Sequence, residues 1–140
     1  MSADFTGAKI ALIHGRELVT YLRDDLPTIP FPGQWDLPGG GREGDEAPED
    51  CVIRETREEF GLVIPHRRLH WKRRYPNATN AAETAYFFAA RITSRDVAAI
   101  RFGPEGQRWQ MMKHAEFIGH ANAVTRLQER LADYLEYGSR

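Results

Sequence analysis

The sequence predicts an α/β or α+β domain, and three observations support this prediction. The chain has 140 residues, a length that suits one domain. With 41% hydrophobic and 28% charged residues, its composition is that of a globular protein and not of a disordered or fibrous chain. Short apolar-rich segments typical of strands occur together with two stretches of helical character. Strands mixed with helices indicate a single domain of this class over residues 1–140.

Composition also limits the compartment and the partners. One cysteine excludes an internal disulfide, and residues 1–8 lack the charged and then apolar pattern of a secretory signal. The longest unbroken apolar run, residues 85–90, is far shorter than the roughly 20 residues of a membrane-spanning helix. The net charge of −1 gives no argument for nucleic-acid or membrane partners. We therefore expect a cytoplasmic protein with no membrane partner.

The first predicted element is a β-hairpin. Residues 9–13 and 17–23 are short and apolar-rich, and a turn at residues 14–16 separates them. Residues 27–33 contain three prolines and a glycine, and each proline removes a hydrogen-bond donor, so a loop is expected there. Residues 35–37 predict a brief strand before Pro38 and three consecutive glycines.

Residues 48–60 are predicted to form the first helix. Pro48 suits the first helical position, where its missing N–H costs nothing, and the acidic residues after it suit the positive end of the helix dipole. Gly61 suits the position just past the C-terminus. The positions expected to face the core, spaced four residues apart, are Val52, Thr56 and Phe60.

The rest of the chain predicts three strands and a second helix. Residues 67–75 and 84–92 have the composition of two longer strands, joined by a turn-rich segment. Residues 103–107 form a predicted loop, and residues 108–112 a strand. The last helix is predicted over residues 123–137. Its apolar stripe consists of Val124, Leu127, Leu131 and Leu135.

Acidic and basic residues are separated along the chain, although the net charge is close to zero. Residues 42–61 hold eight acids and three arginines, whereas residues 66–74 hold five Lys or Arg, two His and no acid. On the first helix Glu55, Glu58 and Glu59 share one face, with Cβ atoms about 5–6 Å apart. Like charges at i,i+4 are unfavourable by roughly 0.2–0.5 kcal/mol, and carboxylates in the last turn oppose the helix dipole. Because this placement of carboxylates is unfavourable for the helix itself, it indicates a functional site rather than a structural role.

Carboxylate oxygens beside a glycine-rich backbone are the ligands that Mg²⁺ or Mn²⁺ prefers, because these ions favour oxygen in octahedral geometry. Such ions take part of their coordination from substrate phosphates, so the pattern predicts a phosphorylated substrate. The alternative is an exposed charged face in which Arg54 pairs with Glu58, which leaves Glu55 and Glu59 unexplained.

Residues 40–62 resemble the Nudix box, the motif of the Nudix hydrolases. From Gly40 the chain has five residues, Glu46, seven residues, and then Arg-Glu-Thr-Arg-Glu-Glu-Phe-Gly-Leu at 54–62. Thr56 departs from the motif, which usually has a large aliphatic residue there. The resemblance implies a mixed β-sheet sandwiched between α-helices, with the box as loop–helix–loop. The subgroup that the chain resembles most is that of the oxidised-nucleotide pyrophosphatases.

By this resemblance, Glu55, Glu58 and Glu59 would hold the divalent cations, with the Gly39 carbonyl as a backbone ligand. Arg54 would orient the carboxylates, and Glu46 would support them. The loop at 103–107 resembles one that supplies a further metal ligand or catalytic base in relatives. Glu105 is the candidate for that role, although an exposed loop residue is the alternative.

Substrate contacts are predicted at four positions. Trp35 and Tyr75 offer rings on which a base can stack, with core packing as the alternative. Asn122 is at a position similar to that of a base-reading Asn in the oxidised-purine pyrophosphatases, with a helix N-cap as the alternative. Arg23 is expected to contact phosphates, with an ordinary surface charge as the alternative.

The function predicted first is a Mg²⁺- or Mn²⁺-dependent pyrophosphohydrolase of a nucleoside triphosphate, including oxidised or noncanonical ones. Alternatives are a hydrolase of nucleoside-diphosphate sugars and an RNA 5′-end pyrophosphohydrolase, in which residues 66–74 would contact the single strand. A third is a Nudix-fold ligand sensor or binding domain without catalysis. Many relatives are dimers, so a homodimer is a further expectation.

Overall fold

A mixed β-sheet forms the centre of the computed structural model, which describes residues 4–77, 80 and 83–138. Strand β1 (Gly7–His14) turns at Gly15 into β2 (Glu17–Leu22), which confirms the predicted hairpin. β1 also pairs in parallel with β6 (Thr84–Arg91) along nearly its whole length. All other strand pairs are antiparallel.

Four further strands complete the sheet over the described residues. β3 (Trp35–Asp36) and β7 (Arg108–Lys113) both pair with β2, and β5 (Leu69–Pro76) pairs with β6 at the edge. β4 (Gly39–Gly41) pairs with the first residues of β1. The glycine run, for which no strand was predicted, is thus a short strand. Its backbone approaches β1 so closely that a Cβ at Gly39 would lie 2.1 Å from the Ala8 carbonyl oxygen.

Both faces of the sheet are buried, because successive residues of a strand point to opposite faces. On β1, Ile10 and Leu12 pack on one face, and Ala11 and Ile13 on the other. Helix α1 (Pro48–Phe60) covers the first face. The second face is covered by α3 (His114–Gly119) and α4 (Thr125–Asp133). A mixed sheet between helices confirms the predicted fold class.

Helix α1 begins and ends where its sequence predicted. Pro48 is at the first position, and Gly61 adopts a left-handed φ of 69° while its N–H donates to the Arg57 carbonyl. Val52, Thr56 and Phe60 are buried, as expected. The threonine that departs from the box motif therefore packs inward, with its hydroxyl unpaired among the described residues.

Other predicted bounds need correction. Residues 66–68 form a single 3₁₀ turn, because Pro65 starts a turn that the Arg68 N–H closes, and β5 begins only at Leu69. Helix α4 begins at Thr125, later than predicted, and a π-helical turn at Tyr134–Gly138 follows it. The short helices α2 (Ser94–Ala98) and α3 were not predicted. None of the described helices is long and apolar enough to cross a bilayer.

Candidate active site

The acidic face of α1 meets the predicted loop at residues 103–107. The Gly103 N–H donates to the Glu59 carbonyl at 2.8 Å, which holds the loop against the end of the helix. A cleft of about 60 Å³ lies between them, here called the carboxylate cleft. Its lining residues are Glu55, Glu58, Glu59, Gly103, Pro104 and Glu105. The structure thus brings together the four glutamates for which the sequence predicted metal binding.

Glu59 is the most enclosed of these carboxylates. Its Oε1 accepts a hydrogen bond from the Gly39 N–H at 2.9 Å, which ties α1 to strand β4. Burial raises the pKa of Glu59 to about 7, and it also raises the pKa of Glu55 above its ordinary value. A cation in the carboxylate cleft would offset this burial, so both side chains suit a site that is completed by a positive charge.

Arg54 holds the acidic residues of the box in place. Its Nε donates to Glu46 at 2.7 Å, and its Nη1 donates to Glu55 at 3.2 Å and to Glu58 at 3.0 Å. Its Nη2 donates to the carbonyl of Gly41 at 2.8 Å. The hydrogen bonds to Glu46, together with the charge of Glu55, raise the pKa of Arg54 further above its already high value. One guanidinium therefore links α1 to the loop before it and to β4.

An ionic cluster around the buried carboxylate of Asp36, which the sequence reasoning missed, supports β4. The Lys9 ammonium donates to Asp36 Oδ2 at 3.1 Å and to the carbonyls of Leu37 and Gly39 at 3.1 and 3.2 Å. Arg23 and the Tyr21 hydroxyl donate to the same carboxylate oxygen at 2.8 and 3.0 Å. A lysine inside the apolar segment of β1 was the available sequence signal, but its partners are remote in sequence.

The charges of this cluster stabilise one another. Burial alone would raise the pKa of Asp36, but the charges of Lys9 and Arg23 outweigh it and hold the pKa below its usual range. Burial would lower the pKa of Lys9, but Asp36, Tyr21 and Glu59 together outweigh it and hold the pKa above its usual range. The cluster stays ionised at neutral pH and fixes the Gly39 carbonyl, which was predicted as a backbone ligand.

The carboxylate cleft fits a divalent cation, with part of its coordination left to other ligands. Within the described part of the chain, no three His, Cys, Asp or Glu side chains form a preassembled metal site. Mg²⁺ is usually held by one or two carboxylates, waters and substrate phosphates, so a complete protein cage is not required. Glu55, Glu59 and the Gly39 carbonyl offer hard oxygen atoms of the kind that this ion prefers. The carbonyl keeps a lone pair beyond the one that Lys9 uses.

A larger cleft of about 390 Å³, here called the apolar cleft, lies on the other side of β4. Gly40 lies between the two clefts: it lines the apolar cleft, and a Cβ there would lie 2.6 Å from the Glu55 carboxylate carbon. Arg23, one of the four predicted substrate residues, also lines it. The sequence reasoning did not select Phe31 and Arg130, which form part of its wall.

The other three predicted substrate residues lie elsewhere. Trp35 is only 6% exposed and packs against His120 and Arg108, so little ring surface remains for a base. The Tyr75 hydroxyl donates to Asp133 at 2.8 Å. The Asn122 amide donates to the Gly33 carbonyl at 2.7 Å, and so connects two loops. None of the three lines the apolar cleft, although Tyr75 contacts Arg130 of its wall and the Asn122 carbonyl accepts from the Trp35 N–H.

The basic segment at residues 66–74 is partly neutralised by acids from other elements. Arg68 pairs with Asp96 at 2.8 Å, and Lys72 with Glu49 at 2.8 Å. Arg73 lies 3.6 Å from Asp133. Part of the local excess of positive charge in the sequence is therefore used for contacts with helices.

The chain is similar to several known proteins. A family model described as NUDIX domain matches residues 7–135. An RNA pyrophosphohydrolase of Gluconacetobacter diazotrophicus is 34% identical over 123 residues, which are 74% of this chain and 72% of the relative. The nucleoside triphosphatase NudI of Escherichia fergusonii is 49% identical over 47 residues, only 34% of this chain and 32% of the relative. The MutT protein from Methanosarcina mazei Go1 superposes with a TM-score of 0.75 at 15% identity, covering 100% of this chain and 99% of that one, a likeness of fold alone.

Proposed function

The chain belongs to the Nudix hydrolase family, and from this premise we propose that it is a Mg²⁺- or Mn²⁺-dependent pyrophosphohydrolase of nucleoside triphosphates. The observation that carries the proposal is the carboxylate cleft, in which Glu55, Glu58 and Glu59 of α1 face Glu105 of a separate loop. Four acids at one small cleft repel one another, and the single guanidinium of Arg54 contacts only Glu55 and Glu58 among them. A cationic cofactor accounts for the arrangement.

The residues of the cleft would divide the work between binding and proton transfer. Glu55, Glu58, Glu59, Glu105 and the Gly39 carbonyl are the proposed metal ligands, and Arg54 keeps Glu55 and Glu58 in position. When bound, the cation neutralises the diphosphate and lowers the pKa of a water molecule. A carboxylate of the cleft accepts the proton of the attacking water.

The apolar cleft would receive the rest of the nucleotide. It adjoins the carboxylate cleft at Gly40, so a nucleotide whose phosphates lie at Glu55 can extend its nucleoside past β4. Its volume of about 390 Å³ is in the range of ligand pockets. Arg23 and Lys9, at one part of its wall, place positive charge beside this path.

The test is a substrate panel with Mg²⁺, with Mn²⁺ and with EDTA. Purified protein is offered nucleoside triphosphates, oxidised triphosphates, nucleotide sugars, dinucleotides and triphosphorylated RNA, and released pyrophosphate and phosphate are measured separately. We expect metal-dependent release of pyrophosphate and a nucleoside monophosphate from triphosphates. Metal binding without turnover of any compound would contradict the proposal and favour a ligand sensor.

A second candidate is hydrolysis at the 5′ end of RNA. The relative that this chain matches over 123 residues is named an RNA pyrophosphohydrolase. Arg67 and Arg74 are exposed and contribute positive charge on and beside the edge strand β5, where a single strand can lie. Turnover of triphosphorylated RNA well above that of free triphosphates, with strong salt dependence, would favour this candidate.

A further inference from the structure

Arg130 of α4 is buried in the wall of the apolar cleft and has no acidic partner. Its exposed fraction is 4%, and among the described residues no carboxylate forms an ion pair with it. The Tyr75 ring lies 4.8 Å from the guanidinium carbon, and Nη2 donates to the Pro76 carbonyl. An arginine is almost never this buried unless it is paired. The missing partner therefore points to a ligand.

The guanidinium retains unused donors. Arginine has five N–H groups, and the described residues accept from only one nitrogen of Arg130, Nη2. Nη2 carries two hydrogens, each of which belongs to a different two-donor edge of the planar group. The Pro76 carbonyl uses one of them, so one complete two-donor edge remains. Such an edge matches two adjacent hydrogen-bond acceptors on a planar partner.

Phe31 brings an aromatic ring to the same cleft and shows backbone strain. Its φ of 51° makes it the one described non-glycine residue in the left-handed region. A bulky residue in this region costs on the order of 1–3 kcal/mol, and such strain concentrates at functional sites. The ring is partly exposed and lines the apolar cleft together with Val124 and Leu127. Aromatic faces of this kind stack nucleobases.

We propose that Phe31 and Arg130 form a nucleobase site that selects guanine. The proposal rests on the proposed function for the supply of a nucleotide. Guanine presents the O6 and N7 atoms as two adjacent acceptors, the partner that an arginine edge reads most often. Adenine presents a donor at N6 beside N7, and an 8-oxidised guanine carries a hydrogen on N7, so each places a donor against a donor. Unmodified guanine therefore fits this site better than the oxidised purine that the family resemblance suggested.

Binding of nucleoside monophosphates without metal tests the site independently of hydrolysis. Isothermal titration of the full chain in EDTA compares GMP, AMP, CMP and 8-oxo-GMP. We expect GMP to bind about 10-fold or more tightly than AMP, from one bidentate contact. Arg130→Gln should remove this preference, and Phe31→Leu should weaken GMP and AMP alike. Arg126→Gln removes the same charge one turn earlier on α4, outside the wall of the apolar cleft, and should leave the GMP to AMP ratio unchanged.

Two further measurements separate loss of the nucleobase site from loss of folding and from general anion binding. Melting curves show whether Arg130→Gln folds, and Arg130→Met, which fills the buried space without polar atoms, replaces it if it does not. Inorganic phosphate is titrated as a competitor, because an unpaired arginine also suits an anion. Equal affinity for GMP and AMP, or displacement of GMP by phosphate only while Arg130 is present, would overturn the proposal. Hydrolysis without base preference refutes this inference alone, whereas Arg130-dependent GMP binding without hydrolysis supports it and refutes the proposed function.

Discussion

Asp36 holds together the ionic cluster that supports β4 next to the carboxylate cleft. One of its oxygen atoms accepts from Lys9, Arg23 and Tyr21, and the other accepts from the Leu37 N–H. Lys9 also donates to the Gly39 carbonyl, and the Gly39 N–H donates to the Glu59 carboxylate. A buried carboxylate thus fixes the backbone next to the acids that we propose as metal ligands, without lining the carboxylate cleft.

Asp36→Asn should lower the free energy of unfolding by about 3–5 kcal/mol, because it leaves two cations without their buried partner. The folded pKa of Asp36 lies below its unfolded value, so its contribution is present above about pH 4 and is lost as the pH falls through the folded pKa. Urea titrations of both proteins from pH 7 to pH 3 should show the difference shrinking below pH 4. A constant difference over this range would refute the assignment. Asp45→Asn, at an exposed position, is the matched control.

Glu105 is the second residue with a specific expectation. It faces the acids of α1 across the carboxylate cleft, from a loop that hydrogen-bonds to the end of that helix. Glu105→Gln should reduce kcat by about 10²-fold, the usual contribution of proton transfer, with no change in melting temperature. Glu116→Gln, an exposed glutamate on α3, serves as control. Unchanged kcat would make Glu105 an ordinary loop residue.

At the level of elements, the contact between β4 and α1 determines where Glu55 lies. Gly40→Ala would place a methyl group 2.6 Å from the Glu55 carboxylate carbon, and the flexible side chain would move while the fold remains. We expect the Mg²⁺ concentration for half-maximal rate to rise about 10-fold or more. At Gly41 the nearest atom to an added Cβ is 3.9 Å away, so Gly41→Ala should have little effect. Equal metal dependence of the two variants would contradict this geometry.

Local signals explain which elements the sequence predicted. The bounds of α1 follow from Pro48 and Gly61, and the hairpin from the turn around Gly15, all within a few residues of the element. Strand β4 was missed because its three glycines pair with β1, about 30 residues away, and no local preference indicates that pairing. The left-handed backbone of Phe31 is likewise not readable from its residue type.

The residues of the site likewise fall into those that local sequence predicts and those that depend on remote contacts. The glutamates of α1 were predictable because their spacing and the preceding glycine run are close together in sequence. The Lys9–Asp36 pair and the unpaired Arg130 depend on which remote residues meet after folding. Arg130 follows Leu127 by three residues in α4, which places it beside the apolar stripe. That position alone does not distinguish a buried arginine from one that extends to solvent.

At the level of the whole molecule, the sheet contributes residues to two hydrophobic cores, one on each of its faces. Neighbouring residues of β1 and β6 belong to opposite cores, so neither core can be lost while the other remains. We therefore expect one cooperative unfolding transition for the metal-free chain, with equal calorimetric and van't Hoff enthalpies. Two separate transitions in differential scanning calorimetry would show that the chain is not the single domain we propose.

The two clefts also give the charge separation of the chain a structural interpretation. Three of the eight acids of residues 42–61 line the carboxylate cleft, whereas the basic segment is in part paired with Glu49, Asp96 and Asp133. The acids at the carboxylate cleft therefore need an external cation more than the basic segment needs an external anion. This asymmetry supports the metal-dependent chemistry that we propose at α1.

The most direct test is the Mg²⁺-dependent release of pyrophosphate by Glu59→Gln, compared with Glu116→Gln. Glu59 combines the Gly39 contact, partial burial and a raised pKa, so we predict a loss of about 10²-fold or more in kcat at saturating Mg²⁺. The melting temperature should stay within a few degrees of the parent, and Glu116→Gln should retain full activity. A near-normal rate for Glu59→Gln at saturating Mg²⁺ would contradict the assignment of catalysis to the acidic face of α1.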